Sequence, residues 1–121
     1  MTHHTDSPFP CSEEGLPEPG PMDDVHIAKI GKALAHPVRV QIVRQFECRT
    51  PQMVQEIVAG GTLAQSTVSE HLRILREAGV LFARKDGPRT WYCMRRSVLD
   101  RYHGAVRALC EADSRPEGSE A

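Results

Sequence analysis

The chain contains four cysteines, which are its most chemically versatile residues, at positions 11, 48, 93 and 110. No two of them form a Cys-x-x-Cys pair, which argues against a zinc ribbon and against a thioredoxin-like redox motif. Thiolates bind soft ions such as arsenite, mercury, cadmium and copper(I), whereas a buried free cysteine is also a common core residue. The sequence therefore leaves open whether Cys11, Cys48, Cys93 and Cys110 hold a ligand or pack inside the protein.

The other reactive residues do not form the pattern of an enzyme. No nucleophile motif, phosphate-binding loop or metal-hydrolase spacing occurs, so we expect no enzymatic activity. A histidine in third position of a free N-terminus can hold Cu(II) or Ni(II). The composition around His3 and His4 is typical of a disordered tail, however, and the sequence assigns them no role.

Basic residues are concentrated in the middle of the chain. Positions 25–110 hold 14 of the 15 lysines and arginines but only 6 of the 16 acids, a formal net charge of +8. A basic core between acidic ends indicates a polyanionic partner. A solvated surface with acidic tails that aid solubility is the alternative explanation.

Composition divides the chain into one folded part and two tails. Residues 1–22 contain five of the nine prolines and predict a disordered acidic tail, and residues 113–121 predict a second one. Residues 23–112 then form one domain, of a size that often dimerises. No apolar run reaches about 18 residues and no secretory pattern opens the chain, so we expect a cytoplasmic protein without a membrane partner, with its cysteines reduced.

Hydrophobic periodicity predicts three short helices in the first half of the domain. Asp23 or Asp24 is expected to cap the first helix, and Pro37 suits the first turn of the second. Thr50-Pro51 predicts the cap and first turn of a third helix. The Gly60-Gly61 pair should end this third helix.

The second half of the domain predicts a helix, a hairpin and a last helix. The fourth helix runs from about Gln65 to Ala78, and two β-rich stretches then flank the turn sequence KDGP. Ser97 is expected to cap a last helix with an apolar stripe suited to packing on a partner helix. The fold class is therefore mainly α with a β-hairpin.

The order of these elements is that of a winged helix-turn-helix. A short glycine-containing turn joins helices three and four, and in such a motif the second helix lies in the major groove. A basic hairpin beside it, a wing, can touch phosphates or a minor groove. Each feature alone also fits an ordinary solvated surface, but together with the basic core they favour DNA binding. The candidate DNA contacts are Gln65, Ser66, Thr67, Ser69, Glu70, His71, Arg73, Arg84, Lys85 and Arg89.

Two stretches of the chain carry a resemblance to a known family. They are ALAHPVRV at 33–40 and LAQSTVSEHLRILREAG at 63–79, and both resemble the ArsR/SmtB family of bacterial repressors. The similarity covers about residues 27–110, and the QSTVSxHLxxLxxAG pattern is highly specific. Ala64 departs from the family, which commonly has a serine cap there.

The resemblance implies a homodimer built through the first and last helices. Such a dimer represses transcription from a palindromic double-stranded operator and releases it when an inducer binds. In this family the residues matching Gln65, Ser66, Thr67, Ser69 and His71 belong to the reading helix. Those matching Arg84, Lys85 and Arg89 belong to the wing.

The metal sites of many relatives are incomplete in this chain. Relatives often carry Cys-x-Cys near the start of the third helix, where residues 52–55 here contain no cysteine. A second subgroup uses Asp and His pairs on the last helix, of which only Asp100 and His103 match. A zinc sensor of either type is therefore not predicted.

The cysteines suggest another class of inducer. Thiol-switch relatives pair one cysteine from each of the second and last helices, and Cys110 matches this arrangement while Cys48 lies about one turn late. Cys11 could fold over Cys48 to complete a thiol site, and Cys93 lies on the second strand beside Trp91. The hypothesis is that a soft metal or metalloid ion, or a redox or sulfur species, links thiols and shifts the dimer off its operator. A constitutive repressor without ligand and a winged helix that binds protein are the alternatives.

Overall fold

A computed structural model describes residues 10–48 and 50–111, with the side chains of Glu47 and Cys48 excepted. The helices are α1 (Asp24–Leu34), α2 (Pro37–Arg44), α3 (Val54–Ala59), α4 (Gln65–Glu77) and α5 (Arg96–Glu111), and the strands are β1 (Leu81–Asp86) and β2 (Arg89–Met94). A 3-10 turn, Gln45–Cys48, follows α2. The predicted mainly helical fold with one hairpin is confirmed. None of the helices in the described part is long and apolar enough to cross a membrane.

The first two helices begin at the residues that the sequence indicates. The Asp23 carboxylate accepts a hydrogen bond from the backbone N–H of His26 at 2.9 Å, which satisfies one of the unpaired donors of α1. His36 caps α2 through Nδ1, which accepts from the Val38 N–H at 3.2 Å, and Pro37 occupies the first turn. Local capping chemistry therefore fixes both starts.

The third helix begins later than predicted. The expected start at Thr50-Pro51 is wrong, because Gln52 pairs with Tyr92 of β2 in an antiparallel bridge that keeps this segment extended. Helix α3 begins at Val54 instead, where the Glu56 carboxylate accepts from the Met53 N–H at 2.8 Å. A contact between distant segments has overridden the local helix-start signal.

The hairpin has the predicted position, but its turn is shorter than the predicted four residues KDGP, because Lys85 and Asp86 belong to β1. Its register pairs Leu81 with Met94 at the open end and Asp86 with Arg89 at the tip. The two-residue turn is Gly87-Pro88, and Gly87 has a φ of 63°, a conformation that glycine adopts without steric cost. The tip therefore projects as a compact loop beside α4.

One core joins all the helices to the base of the hairpin. Burying apolar side chains from every element is what stabilises so small a domain. The core residues are Ile30, Ala33, Ile42, Phe46, Ile57, Val68, Leu72, Leu75, Ala78, Val80, Leu81 and Val98.

Residues 10–22, which we call the N-terminal arm, pack on the domain although their composition predicts a flexible tail. The Glu13 carboxylate accepts from the backbone N–H and the hydroxyl of Ser97, at 3.0 and 2.5 Å, and so caps α5 from outside the helix. Ser97 was expected to be the cap but lies in the first turn and donates to it. Residues 1–9, with His3 and His4, and the predicted tail 113–121 lie outside the described residues.

Candidate nucleic-acid interface

Helix α4 has one apolar face and one polar face. Val68, Leu72 and Leu75 are buried at helical spacing and hold the helix against the core. Six of the seven predicted contact residues of this helix are exposed on its outer side. These six are Gln65, Ser66, Thr67, Ser69, Glu70 and Arg73.

His71 is the exception among the predicted contacts. Its side chain is buried, with the residue 9% exposed, and Arg39 of α2 donates a hydrogen bond from Nε to its Nδ1 at 3.1 Å. The ring of His36 meets it edge to face, with ring centroids 4.8 Å apart. His71 therefore lies on the inner side of α4 and orients the helix, a position that does not suit direct contact with bases.

The same environment favours an uncharged His71. Burial, and then electrostatic interactions with His36 and Arg39, lower the pKa of His71 below its ordinary value of 6.5, although Glu70 opposes this. Because Nδ1 accepts from Arg39, the neutral ring carries its proton on Nε2. Protonation of this ring would oppose the contact that joins α4 to α2.

Arg73 is engaged by acids of its own helix. Its guanidinium donates to Glu70 at 2.5 Å and to Glu77 at 2.8 Å. All three side chains are more than half exposed, so these ion pairs contribute little to stability. The hydrogen bond and the charge of Arg73 lower the pKa of Glu70, which stays ionised. A phosphate would have to compete with two carboxylates for Arg73.

The wing presents its three predicted cations differently. Lys85 and Arg89 are exposed near the tip, whereas Arg84 is half-buried. The Arg84 guanidinium lies 5.5 Å from the centroid of the Phe82 ring. It donates from Nη2 to the backbone carbonyls of Ser12 and Glu14, at 3.0 and 3.1 Å. The N-terminal arm therefore engages Arg84, a residue that the sequence predicts to contact DNA.

The Glu13 carboxylate anchors this arm. Arg95 donates from Nε to it at 3.0 Å, beside the two bonds from Ser97. Burial by itself would raise the pKa of Glu13, but the bonds from Ser97 and Arg95 outweigh it and hold the pKa below the usual 4.5. Glu13 is thus a charged anchor at neutral pH, which its Pro-rich sequence context did not indicate.

The predicted cysteine sites come together in one unexpected pair. Cys11 of the arm forms a disulfide with Cys93 of β2, with their Cα atoms 5.6 Å apart, so the expectation of reduced thiols does not hold for these two. The hypothesis that Cys11 folds over Cys48 is not what this geometry shows, because Cys11 is bonded to β2. Cys110 is an exposed free thiol on α5, and the Cys48 side chain lies outside the described residues.

The described residues offer little to a resident metal ion. Among them, no group of three or more His, Cys, Asp or Glu side chains stands close enough to hold a metal. Asp100 and His103 are both exposed on α5 without a third ligand. The donor set that the structure describes therefore does not fit a three- or four-ligand metal site.

Comparison with known proteins agrees with this architecture. Residues 36–81 match the family model described as "Bacterial regulatory protein, arsR family". The chain is 36% identical over 78 residues to the HTH-type transcriptional repressor SmtB of Mycobacterium tuberculosis, a match that spans 64% of this chain and 57% of that repressor. It is 35% identical over 84 residues to an HTH-type transcriptional regulator of Methanocaldococcus jannaschii, covering 69% of this chain and 91% of that one.

A solved structure extends the similarity to the whole fold. The homodimeric winged helix-turn-helix DNA-binding domain of a possible ArsR-family regulator from Mycobacterium bovis superposes with a TM-score of 0.59 at 26% identity. The match covers 73% of this chain and 82% of that domain. The polar face of α4, the adjoining wing and these similarities lead to one conclusion: this chain belongs to the ArsR family of bacterial regulatory proteins.

Proposed function

We propose that this protein is a sequence-specific transcriptional repressor that binds operator DNA as a homodimer. It releases the operator when a thiol-reactive inducer binds to or reacts with it. The observation that carries the proposal is the exposed polar row at the start of α4, beside a wing with exposed Lys85 and Arg89. Polar side chains at that helix end can read base edges in a major groove, and the wing cations can bind phosphates.

A division of labour between α4 and the wing follows from their chemistry. Gln65 presents an amide that can bond adenine in a bidentate manner, and Ser66 and Ser69 can donate to or accept from several bases. Lys85 and Arg89 carry charge without a partner of defined shape, so they add affinity that is independent of sequence and sensitive to salt. Sequence readout would therefore reside in α4.

Exposed apolar residues support the homodimer. Val25 on α1 is 76% exposed and Leu109 on α5 is 61% exposed, and these are the exposed large apolar side chains of the described residues. A two-fold interface through α1 and α5 would cover both. It would also present two copies of α4 to successive major grooves, about 34–36 Å apart.

The inducer class rests on the cysteines. The Cys11–Cys93 pair joins the arm to the wing, so chemistry at either sulfur acts on an element that we expect to contact DNA. Oxidants, persulfides and soft ions such as arsenite, mercury, cadmium or copper(I) all react with thiolates. The inducer would act in the cytoplasm, where such a repressor meets its operator.

The test is a gel-shift experiment with the purified full chain and the DNA upstream of its own gene, against a scrambled duplex of equal length. Retardation of the upstream DNA alone, reversed by one of the thiol-reactive species, is the expected result. A Cys110→Ser variant controls for reaction at the exposed free thiol. Equal retardation of both duplexes would contradict sequence-specific repression, and binding that no reagent alters would contradict the inducer class.

A further inference from the structure

Arginine side chains hold much of the N-terminal arm, in addition to the disulfide and to the bonds that cap α5. Arg84 of β1 holds the carbonyls of Ser12 and Glu14, and Arg95 holds the carboxylate of Glu13. Farther along the arm, Arg101 of α5 donates to the Pro19 carbonyl at 3.3 Å and lies 3.6 Å from the Glu18 carboxylate. The arm thus supplies oxygen acceptors and negative charge to the cations of the domain.

The two arm carbonyls accept hydrogen bonds from Arg84 that a phosphate could otherwise accept. A guanidinium bonds phosphate oxygens through the same N–H groups that now point at the two carbonyls. An open groove of about 520 Å³ lies beside this contact and is lined by Pro10, Ser12, Glu14, Arg84 and Lys85. While the arm lies there, a nucleic-acid backbone cannot take these donors from Arg84.

The disulfide fastens the arm at a neighbouring point. Cys93 pairs with Phe82 in the hairpin. Phe82 and Arg84 are two residues apart in β1, so their side chains lie on the same face of the strand. Cys11 immediately precedes Ser12, so the covalent bond and the Arg84 contact hold adjacent residues of the arm on that face. The crosslink joins residues 82 apart in sequence. Docking of the arm is intramolecular in either redox state, but the bond shortens the tether and so raises the effective concentration of the arm at Arg84.

We propose that Cys11 and Cys93 form a reversible dithiol–disulfide site, and that its oxidised form pins the arm across the wing and withholds Arg84 from DNA. This inference rests on the proposed function and names the regulation of the same surface. Without the covalent bond, Arg84 holds Ser12 through a half-buried hydrogen bond and Glu14 through an exposed one. A charged phosphate can compete with these neutral carbonyls for the guanidinium. The reduced protein then gains a wing cation for DNA, and oxidation acts as induction.

The chemistry balances with a peroxide as oxidant. Hydrogen peroxide takes two electrons and two protons from the two thiols, which forms the Sγ–Sγ bond, breaks the O–O bond and yields two molecules of water. In the reverse direction a dithiol reductant attacks one sulfur and forms a mixed disulfide. Its second thiol then resolves that mixed disulfide, releasing both cysteines as thiols and leaving the reductant oxidised.

The first experiment compares DNA affinity in the two redox states. The full chain is treated with hydrogen peroxide or with dithiothreitol, and binding to fluorescent upstream DNA is followed by polarisation at several salt concentrations. We expect the reduced protein to bind about 3- to 10-fold more tightly. Its log-log salt slope should be steeper by about one phosphate contact per arginine released.

Variants separate the site from general oxidation. Cys11→Ser should bind with the reduced affinity after either treatment, and Cys110→Ser should respond like the unmodified chain. Arg84→Ala should lower the reduced affinity to the oxidised level and abolish the redox difference. Lys85→Ala, a matched change of the next residue, should lower affinity and keep the difference. A peroxide response that persists in Cys11→Ser or in Arg84→Ala would overturn the proposal.

A measurement without DNA keeps the inference distinct from the proposed function. Residues 1–24 contain no lysine or arginine, so a protease specific for glutamate is used to cut the arm after Glu13 or Glu14. We expect slower cleavage and a linked Cys11–Cys93 peptide in the oxidised chain, and faster cleavage in the reduced one. Absence of the linked peptide, or equal cleavage rates, would overturn the dithiol site. Absence of specific DNA binding in both states would instead overturn the proposed function.

Discussion

The two elements that we propose to contact DNA, α4 and the wing, are built in different ways. Contacts within α4 and with the adjacent α2 set its orientation, and among the described residues no hydrogen bond or ion pair joins its polar row to the N-terminal arm. The wing instead meets the arm across 70 to 72 residues of sequence at Arg84, and across 82 at the disulfide. The proposed reading helix is thus oriented by its own neighbours, whereas the wing, a charged element, also depends on a distant segment of the chain.

The largest expected effect comes from removing a base-reading group of α4. Gln65→Ala should weaken binding to the specific DNA by about 1–3 kcal/mol, because a bidentate amide contact is lost. It should hardly change binding to scrambled DNA. The matched control is Gln41→Ala, an exposed position on α2. Polarisation titrations of both duplexes measure the effect, and an equal loss on both would remove α4 from its reading role.

The wing should show the opposite pattern when its free tip is neutralised. Lys85→Ala and Arg89→Ala should each weaken binding to both duplexes several-fold and reduce the log-log salt slope by about 1, because each removes one phosphate contact. Lys29→Ala on α1 is the control for net charge alone. Unchanged salt slopes in both wing variants would show that the tip does not touch phosphates.

Loss of the arm's anchor should be felt mainly in stability. Glu13→Gln removes the charged cap of α5 and its bond to Arg95, and should lower the free energy of unfolding by about 0.5–2 kcal/mol. Glu14→Gln is the matched control, because the structure uses the carbonyl of Glu14 and not its carboxylate. Urea denaturation compares the two, and equal stabilities would argue against the anchor.

The smallest effect is a pH dependence from beneath α4. Because folding lowers the pKa of His71 below 6.5, the unfolded chain takes up a proton more readily. Stability from this group is present above about pH 6.5 and is lost as the pH falls below it. His71→Gln, which keeps an acceptor for Arg39, should flatten the fall in Tm between pH 7.5 and 5.5, and His103→Gln should not. Parallel Tm curves for both variants would contradict this account.

The parts of the fold that depend on neighbours in sequence were predictable. Asp23 and the His36-Pro37 step fix helix starts by local capping, and the hairpin follows from its turn residues. The start of α3 was not predictable, because the Gln52–Tyr92 bridge joins residues 40 apart. Periodicity placed Val68 and Leu72 inside α4 correctly, but a polar His71 on the buried side gives no such signal.

The position of the N-terminal arm could not be predicted from the sequence. Its prolines and acids indicate a flexible tail, and the acceptors that hold it are mostly backbone carbonyls, which no side-chain pattern reveals. Four cysteines allow three complete pairings, so the Cys11–Cys93 bond appears only once β2 and the arm are placed together. One indication of this contact was present in the sequence: the middle of the chain has an excess of basic residues, and the N-terminal segment has acidic residues but no basic ones.

The most direct test of the division between α4 and the wing is the specificity ratio, the affinity for upstream DNA over that for scrambled DNA. It is measured for the reduced chain, Gln65→Ala and Lys85→Ala over a range of salt concentrations. We predict that Gln65→Ala lowers the ratio at every salt concentration. Lys85→Ala should leave the ratio unchanged while it flattens the salt dependence for both duplexes. A ratio that falls with Lys85→Ala and survives Gln65→Ala would contradict the assignment of sequence reading to α4.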